Sequence, residues 1–166
     1  MIRLVNVEDA PAITEIYNYY ITYTSISFET RPLDVPEMRT RIQEIAVHHL
    51  YLVYEEDGEI MGYCYAHPWK DRAAYDHTME TTIYLNPRHK SKGIGTLLMK
   101  ALIDRCRDNG YHALIACITK SNEPSCKFHA KLGFQKVSHF KEVGYKLGAW
   151  HDVEDYELLI FSHLRK

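Results

Sequence analysis

The chain has few of the features that mark a secreted, membrane-spanning or nucleic-acid-binding protein. It carries only four cysteines in 166 residues, Cys64, Cys106, Cys117 and Cys126, with no CxxC pair and no dense spacing, so a disulfide scaffold is excluded as its organising device. No window approaches the roughly 20 apolar residues that cross a bilayer. Met1 leads at once into the short, strand-like stretch Ile2 to Val7 rather than into the apolar run of a signal peptide. The expected location is therefore the cytoplasm, with no membrane partner. Charge of one sign is also missing: 20 Lys and Arg stand against 22 Asp and Glu, a net of −2, which leaves no overall basic field to hold nucleic acid. The ten histidines would make the chain net cationic below about pH 6, near their reference pKa. Internal repeats and low-complexity linkers are absent, and with 46% hydrophobic and 25% charged residues residues 1–166 are expected to form one soluble domain.

What is present is a mixed periodicity. Asp9 reads as a helix N-cap, and Ile13, Ile16, Tyr17 and Tyr20 follow at i, i+3, i+4 and i+7, an amphipathic stripe. Asp34 with Glu37 has capping-box spacing ahead of Met38, Ile42 and Ile45. Leu50–Tyr54 and Ile60–Ala66 flank the turn pair Asp57-Gly58, which predicts a hairpin, and Thr78–Leu85 reads as a third strand ending at Asn86-Pro87. Gly93 opens a helix with Ile94, Leu97, Leu98, Ala101 and Leu102 on one side, and Gly110 closes it. A strand over Ala113–Ile118, a helix over Asn122–Leu132 closed by Gly133, and strands over about Gln135–Lys146 and His151–Phe161 complete a mixed α/β order.

The most informative segment is the strand–loop–helix unit containing NPRHKSKGIGTLLM. Gly93 and Gly95 have no Cβ, so the backbone N–H groups of residues 91–96 can approach an anion, and the helix N-terminus adds partial positive charge. Arg88, Lys90 and Lys92 surround that position with cations. A pyrophosphate would suit the loop. The GxxxxGK[ST] pattern of a P-loop is absent, and the third glycine of a GxGxxG dinucleotide fingerprint is replaced by Leu98.

Lys90, Ser91, Lys92, Gly93, Ile94 and Gly95 resemble the [Q/R]xxGxG motif of the GCN5-related N-acetyltransferase (GNAT) family, with a lysine at its first position. Farther on, Asn122-Glu123-Pro124-Ser125 begins the helix that carries His129 and ends in Lys131-Leu132-Gly133-Phe134, similar to the family element that follows the splayed strand. The stretches FET, PWKDRAAYD, YLNPRHKSKGIG, ALIACIT, NEPS and EVGYKLGAWHDV narrow the resemblance to the phosphinothricin and methionine-sulfoximine acetyltransferases, over about residues 28 to 153. The resemblance implies a GNAT fold: a mixed, mostly antiparallel central sheet with a V-shaped splay between the two central strands, and flanking helices. It further implies direct transfer of acetyl from acetyl-CoA to the α-amine of a small amino-acid-like acceptor, and a homodimer.

Carried over residue by residue, the resemblance assigns Glu80 as the base that deprotonates the ammonium, acting through water. Leu85 would supply the N–H for the oxyanion, and His129 a proton-transfer group at the leaving thiolate. Ile83, Tyr84 and Leu85 would pair with the pantetheine arm. Lys90, Ser91, Lys92, Gly93, Ile94, Gly95 and Thr96 would hold the pyrophosphate, and Asn122 the cofactor from the other side of the slot. Arg72 would clamp the acceptor carboxylate with Tyr75 beside it, and Phe28 and Glu29 would shape its side-chain pocket.

Two CxxH pairs, Cys64/His67 and Cys126/His129, offer ligand types that zinc accepts, but neither resembles a zinc knuckle and no metal is expected. Tyr17, Tyr19, Tyr20 and Tyr23 are too dense for one helix face, leaving core, pocket and interface open to them. Where relatives continue WxDV with a glycine and two aromatics, this chain has Glu154-Asp155-Tyr156, which bears on acceptor identity. Other amines (a polyamine, an aminoglycoside, a peptide N-terminus) and a non-catalytic acetyl-CoA-binding module are the alternative functions. Arg72 discriminates against the first, and the joint presence of Glu80 and His129 against the second.

Overall fold

A computed structural model describes residues 1–89 and 93–160. Its elements run β1 (Ile2–Leu4), α1 (Ala10–Tyr23), α2 (Val35–Ala46), β2 (Tyr51–Glu56), β3 (Glu59–Pro68), β4 (Thr78–Leu85), α3 (Ile94–Asp108), β5 (Ala113–Thr119), α4 (Glu123–Lys131), β6 (Gln135–Lys136), β7 (Phe140–Lys146) and β8 (Ala149–Leu159). The strands form one sheet in the order β1-β2-β3-β4-β5-β8-β6, with β7 also paired to β8. Every pairing is antiparallel except β4 with β5.

Local chemistry accounts for the elements. Asp34 accepts from the Glu37 N–H at 2.8 Å and Glu37 from the Asp34 N–H at 2.8 Å, a complete capping box at the start of α2. The β2–β3 turn places Asp57 and Gly58 at φ 50° and 79°, the left-handed pair that a two-residue hairpin requires. Gly110 and Gly133, at φ 80° and 95°, end α3 and α4 as left-handed residues.

Two predicted strands are shorter than their sequences suggest. β1 stops at Leu4 because Asn6 and Asp9 form a capping box around the 3-10 turn Val7–Asp9. Asp9 precedes α1 without capping it; its carboxylate receives both terminal nitrogens of Arg3 at 2.8 Å. The predicted strand Gln135–Lys146 is split in two. The Ser138 hydroxyl accepts from the Asp155 N–H at 2.9 Å, Glu142 adopts φ 52°, and the Asp152 carboxylate accepts the Glu142 N–H at 3.0 Å. The β7–β8 register slips between Phe140 and Gly144, a bulge that bends β7 away from β6.

The sheet divides two cores. On one face Leu98, Met99 and Leu102 of α3 pack on Leu52, Cys64, Met79, Leu114 and Ala116. On the other, Ile13 and Ile16 of α1 and Met38 and Ile42 of α2 pack on Tyr51, Val53, Ile60 and Tyr63. The β4–β5 ladder covers only Thr78–Ala113, Met79–Leu114 and Glu80–Ile115. Beyond it β4 runs to Leu85 and β5 to Thr119 without pairing, so the middle of the sheet opens as a V.

Neighbouring leucines on α3 test the first core. Leu98 is fully buried and Leu97 is 49% exposed. Leu98→Ala should cost about 2–5 kcal/mol in denaturant unfolding and Leu97→Ala within about 0.5 kcal/mol; equal losses would be inconsistent with this packing.

Candidate functional site

The open V is lined by two chambers of about 450 and 360 Å³ that share Ile26, Ile83, Tyr84, Asn122 and Ser125. Strand alternation decides what β4 presents to them. The Asn86 N–H bonds to the Met61 carbonyl at 2.9 Å, so even-numbered β4 residues direct their backbone groups to β3 and odd-numbered ones to β5. The N–H and C=O of Ile83 and the N–H of Leu85 therefore face the slot past the end of the β4–β5 ladder. The Leu85 carbonyl accepts the Tyr20 hydroxyl at 2.6 Å.

The smaller chamber ends at the start of α3 and contains Leu85, His89, Gly93, Ile94, Gly95, Thr96 and Phe128. Gly93 sits at φ 73° as the N-cap, a conformation that L side chains rarely adopt. The first intrahelical bond is from the Leu97 N–H to the Gly93 carbonyl at 3.1 Å, which leaves the N–H groups of Ile94, Gly95 and Thr96 for an anion. Gly95 has a packing reason as well: a Cβ there would lie 3.3 Å from Leu85 and 3.5 Å from Phe128. Lys90, Ser91 and Lys92 lie outside the described residues.

The larger chamber holds Glu80, His129, Phe28 and Glu29, with His67, Tyr17, Tyr65 and Cys117 around them. Glu80 and His67 are cross-strand partners, and His67 Nε2 lies 3.9 Å from Glu80 Oε1. Burial raises the Glu80 pKa above the usual carboxylate range; His67 opposes the shift and Asp155 adds to it. Asp155 pairs with Cys117 across β5–β8, hence on the same face as Glu80. The Cys117 thiol, flanked by the two carboxylates, is pushed up to about 12, chiefly by burial, too high for a thiolate nucleophile near neutrality.

His129 is buried between the rings of Phe128 and Phe134, with centroids at 5.0 and 5.1 Å. Its Nδ1 lies 2.8 Å from the Ser125 carbonyl, which can only accept, so Nδ1 carries the proton and Nε2 the lone pair. Burial lowers its pKa. A neutral imidazole in this tautomer accepts a hydrogen bond at Nε2 and has no second proton to give.

Glu29 is engaged on three sides: Arg41 donates to its two oxygens at 2.6 and 2.8 Å, and the Tyr17 hydroxyl donates to Oε2. Arg41 keeps its pKa low. Phe28, Ile83, Tyr84 and Asn122 also line the slot, and Asn122 caps α4 by accepting from the Ser125 N–H at 3.4 Å. Arg72 and Tyr75 are not brought to the slot. Arg72 is an exposed residue at the start of the 3-10 turn Ala73–Tyr75. Tyr75 packs edge-on against Trp69 at 5.3 Å, with Lys70 Nζ 4.1 Å from the Trp69 ring centre. Of the acidic pair at 154–155, only Asp155 turns to the slot face. Glu154 is buried on the other face, accepting from Tyr156 Oη at 3.1 Å and Lys136 Nζ at 3.3 Å.

The tyrosines of α1 divide. Tyr17 and Tyr20 pack on Tyr84 at 5.1 and 5.0 Å, beside the slot, whereas Tyr19 and Tyr23 face a groove of about 850 Å³ on the far side of α1. That groove is larger, but it lies away from the open strand edges, and its Arg3 and Arg88 are spent on Asp9, Glu55, Glu15 and Glu59. Among the described residues no group of three or more His, Cys, Asp or Glu is arranged to hold a metal ion.

Arg41 reaches the slot wall through Glu29. His67, Cys117 and Asp155 stand out in the sequence only as part of a CxxH pair, a cysteine and an acidic departure, and the fold brings all three to the Glu80 face. His67 could have been found from its place opposite Glu80 had the β3–β4 register been known. Arg41 carries no local signal, since its partner lies in another element.

Comparison with known proteins agrees with this geometry. The model of the acetyltransferase (GNAT) domain matches residues 2–154. The phosphinothricin N-acetyltransferase of Streptomyces viridochromogenes is 35% identical over 161 residues, covering 95% of this chain and 88% of that protein. The L-methionine sulfoximine/L-methionine sulfone acetyltransferase of Salmonella typhimurium is 32% identical over 98% of this chain and 95% of its own. A crystal structure of a phosphinothricin acetyltransferase from Sinorhizobium meliloti in complex with AcCoA superposes with a TM-score of 0.94 at 31% identity, covering 100% and 91% of the two chains. With a splayed central sheet, a free helix N-terminus at its mouth and a family model spanning most of its length, the chain belongs to the GNAT acetyltransferase family.

Proposed function

We propose that this protein transfers acetyl from acetyl-CoA to the α-amine of a small amino-acid-like acceptor of the phosphinothricin, methionine sulfoximine or methionine sulfone type, by direct attack within a ternary complex. The observation that carries the reading is the pair of chambers meeting where the β4 backbone has left β5, one ending on free helix N–H groups and the other on the half-buried Glu80 carboxylate. Acetyl-CoA fits the first. The N–H groups of residues 94–96 suit its pyrophosphate, together with the lysines of the preceding loop. The exposed amide edge of Ile83 and Leu85 suits the pantetheine amides, and Asn122 closes the slot from the β5 side.

In the second chamber an ammonium must lose a proton before it can attack. Glu80, with its proton affinity raised, takes that proton directly or through a water molecule. The amine nitrogen then bonds to the thioester carbon, and the developing oxyanion is met by the Leu85 N–H, which β4 turns to the slot. The C–S bond breaks as the carbonyl re-forms. Neutral His129 presents Nε2 as an acceptor, which fits it to orient or receive a proton rather than to supply one to the departing thiolate.

One observation favours a second reading, an amine without a carboxylate: Arg72 stands outside the slot, and Arg41, which meets the slot wall at Glu29, is committed to that carboxylate. We propose a homodimer on the exposed Val143, Tyr145, Leu147 and Trp150. The unpaired thiols of Cys64, Cys106, Cys117 and Cys126 support a reducing, cytoplasmic location.

The test is thiol release from acetyl-CoA across methionine sulfoximine, methionine sulfone, phosphinothricin, polyamines and aminoglycosides, with the first three expected to turn over; release with none of these amines would replace the enzyme by a cofactor-binding module. Glu80→Gln should lower kcat/KM by about 10²-fold or more while acetyl-CoA affinity is kept. Because Asp155 helps to raise the Glu80 pKa, kcat/KM of the unmodified enzyme should fall as pH drops through a limb above the ordinary Glu value. Asp155→Asn should move that limb to lower pH, and a limb that stays in place would remove Asp155 from the electrostatics of the base. Arg72→Ala separates the two readings: a KM that rises for methionine sulfone far more than for its decarboxylated analogue would bring Arg72 to the acceptor carboxylate, and equal effects would support the second reading.

A further inference from the structure

The β7–β8 hairpin turns two different faces outward and inward. Along β7, Val143 and Tyr145 are more than half exposed, while Gly144 and Lys146 between and beyond them are buried, the alternation of a strand with one face covered. What covers the inner face is the segment from Ser25 to Glu29, four residues of which (Ile26, Ser27, Phe28 and Glu29) wall the larger chamber.

Lys146 is only 5% exposed, and its ammonium donates to the Ser27 carbonyl at 2.5 Å. Burial lowers its pKa and the Glu29 carboxylate opposes that. Taking an ammonium out of water is costly, and a methionine of similar length would fill this space without that cost, so packing alone does not account for a lysine here. Two positions before it, Gly144 leaves a notch for the Phe28 ring: a Cβ at 144 would lie 2.1 Å from Phe28 Cε2 and 2.4 Å from Cζ. The hairpin adds the His151 ring of β8, its centre 6.1 Å from that of Phe28. Other elements tie the segment through Thr119 Oγ1 of β5, which donates to the Ser25 carbonyl at 2.8 Å, Tyr17, whose Oη lies 2.9 Å from Ser27 Oγ, and Arg41, which is paired with Glu29.

We propose that Lys146 and Gly144 are positioning residues for acceptor recognition, holding Ser27 and Phe28 as the wall of the acceptor chamber without touching the acceptor. This rests on assigning the larger chamber to the acceptor. The donor chamber shares only Ile26 with the segment, so the effect of loosening it falls on one substrate and not on the other.

The experiment compares the unmodified protein with Lys146→Met, which keeps the bulk and removes the donor, and Gly144→Ala, which keeps the ammonium and fills the notch. Lys141→Ala, on the exposed part of the same strand, is the control. In the thiol-release assay with methionine sulfone, KM for the acceptor should rise about tenfold or more in both variants, with KM for acetyl-CoA within about twofold. Amide hydrogen exchange of the peptide spanning residues 24–31 should accelerate about tenfold, with α3 and β2 to β4 unchanged. Parallel loss of both KM values, exchange that accelerates throughout the molecule, or unchanged exchange at 24–31 would each overturn the proposal. If the unmodified protein acetylates no amine, that failure belongs to the acceptor reading, and the exchange measurement still decides whether hairpin and segment are coupled. Should Lys146→Met not fold, Gly144→Ala decides alone.

Discussion

Three residue pairs hold β4 to β5, and the site depends on the ladder ending there. Parallel strands normally continue their evenly spaced bonds to the end of the shorter strand, and an unpaired backbone inside a sheet leaves polar groups that need partners. Here the separation begins after Glu80 and Ile115. The side chains nearest the fork carry the consequences: Thr81 Oγ1 donates to the Ile115 carbonyl at 3.3 Å, and Tyr20 reaches from α1 to the Leu85 carbonyl. The sheet thus remains continuous at one end and offers free amide edges at the other. Glu80 sits at the fork, on the last residue of β4 that pairs with β5.

That position also sets the electrostatics. A carboxylate at the apex of the V is shielded by strands on both sides, and the same face of β8 supplies a second carboxylate two positions along. Burial and like charge both favour the protonated form of Glu80, while for His129 burial favours the form without the extra proton. The two groups are displaced from their ordinary values in opposite directions, each toward neutrality. In the proposed reaction Glu80 serves in its ionised form, so the same burial that raises its proton affinity confines its use as a base to pH above its raised pKa.

The elements were largely legible because their signals are local. Asp34 and Glu37, Asp57 and Gly58, and the apolar stripe of α3 specify their own geometry within a few residues. The reading of β1 as running to Val7 failed at the Asn6–Asp9 capping box, and that of residues 135–146 as one strand failed where Ser138 and Asp152 accept the backbone N–H groups of Asp155 and Glu142. The site follows the same division. Gly93 lies on a motif with internal spacing, whereas Glu80, His129 and Asn122 are assigned by resemblance to a family. Arg41 enters only through packing, and the bearing of His67 and Asp155 on Glu80 only through pairing register, which no short window encodes. Gly95 has a packing role that the sequence does not show, since a Cβ there would press on Leu85 and Phe128.

The acidic departure at 154–155 illustrates how one sequence feature can divide into two physical ones. Period-two alternation sends adjacent residues of β8 to opposite faces, so Glu154 is absorbed into a buried network with Tyr156, Lys136 and, at 3.7 Å, His139. Asp155 alone remains on the slot face. A carboxylate there adds negative charge beside Glu80, in a chamber whose other carboxylate, Glu29, is already paired with Arg41. An amino-acid acceptor must bring its own carboxylate into that field, and the energy of doing so falls with distance from Glu80 and Asp155. Because the α-amine and carboxylate of such an acceptor share one carbon, the carboxylate enters that field together with the amine, and only its turning away from Glu80 and Asp155 can lessen the repulsion.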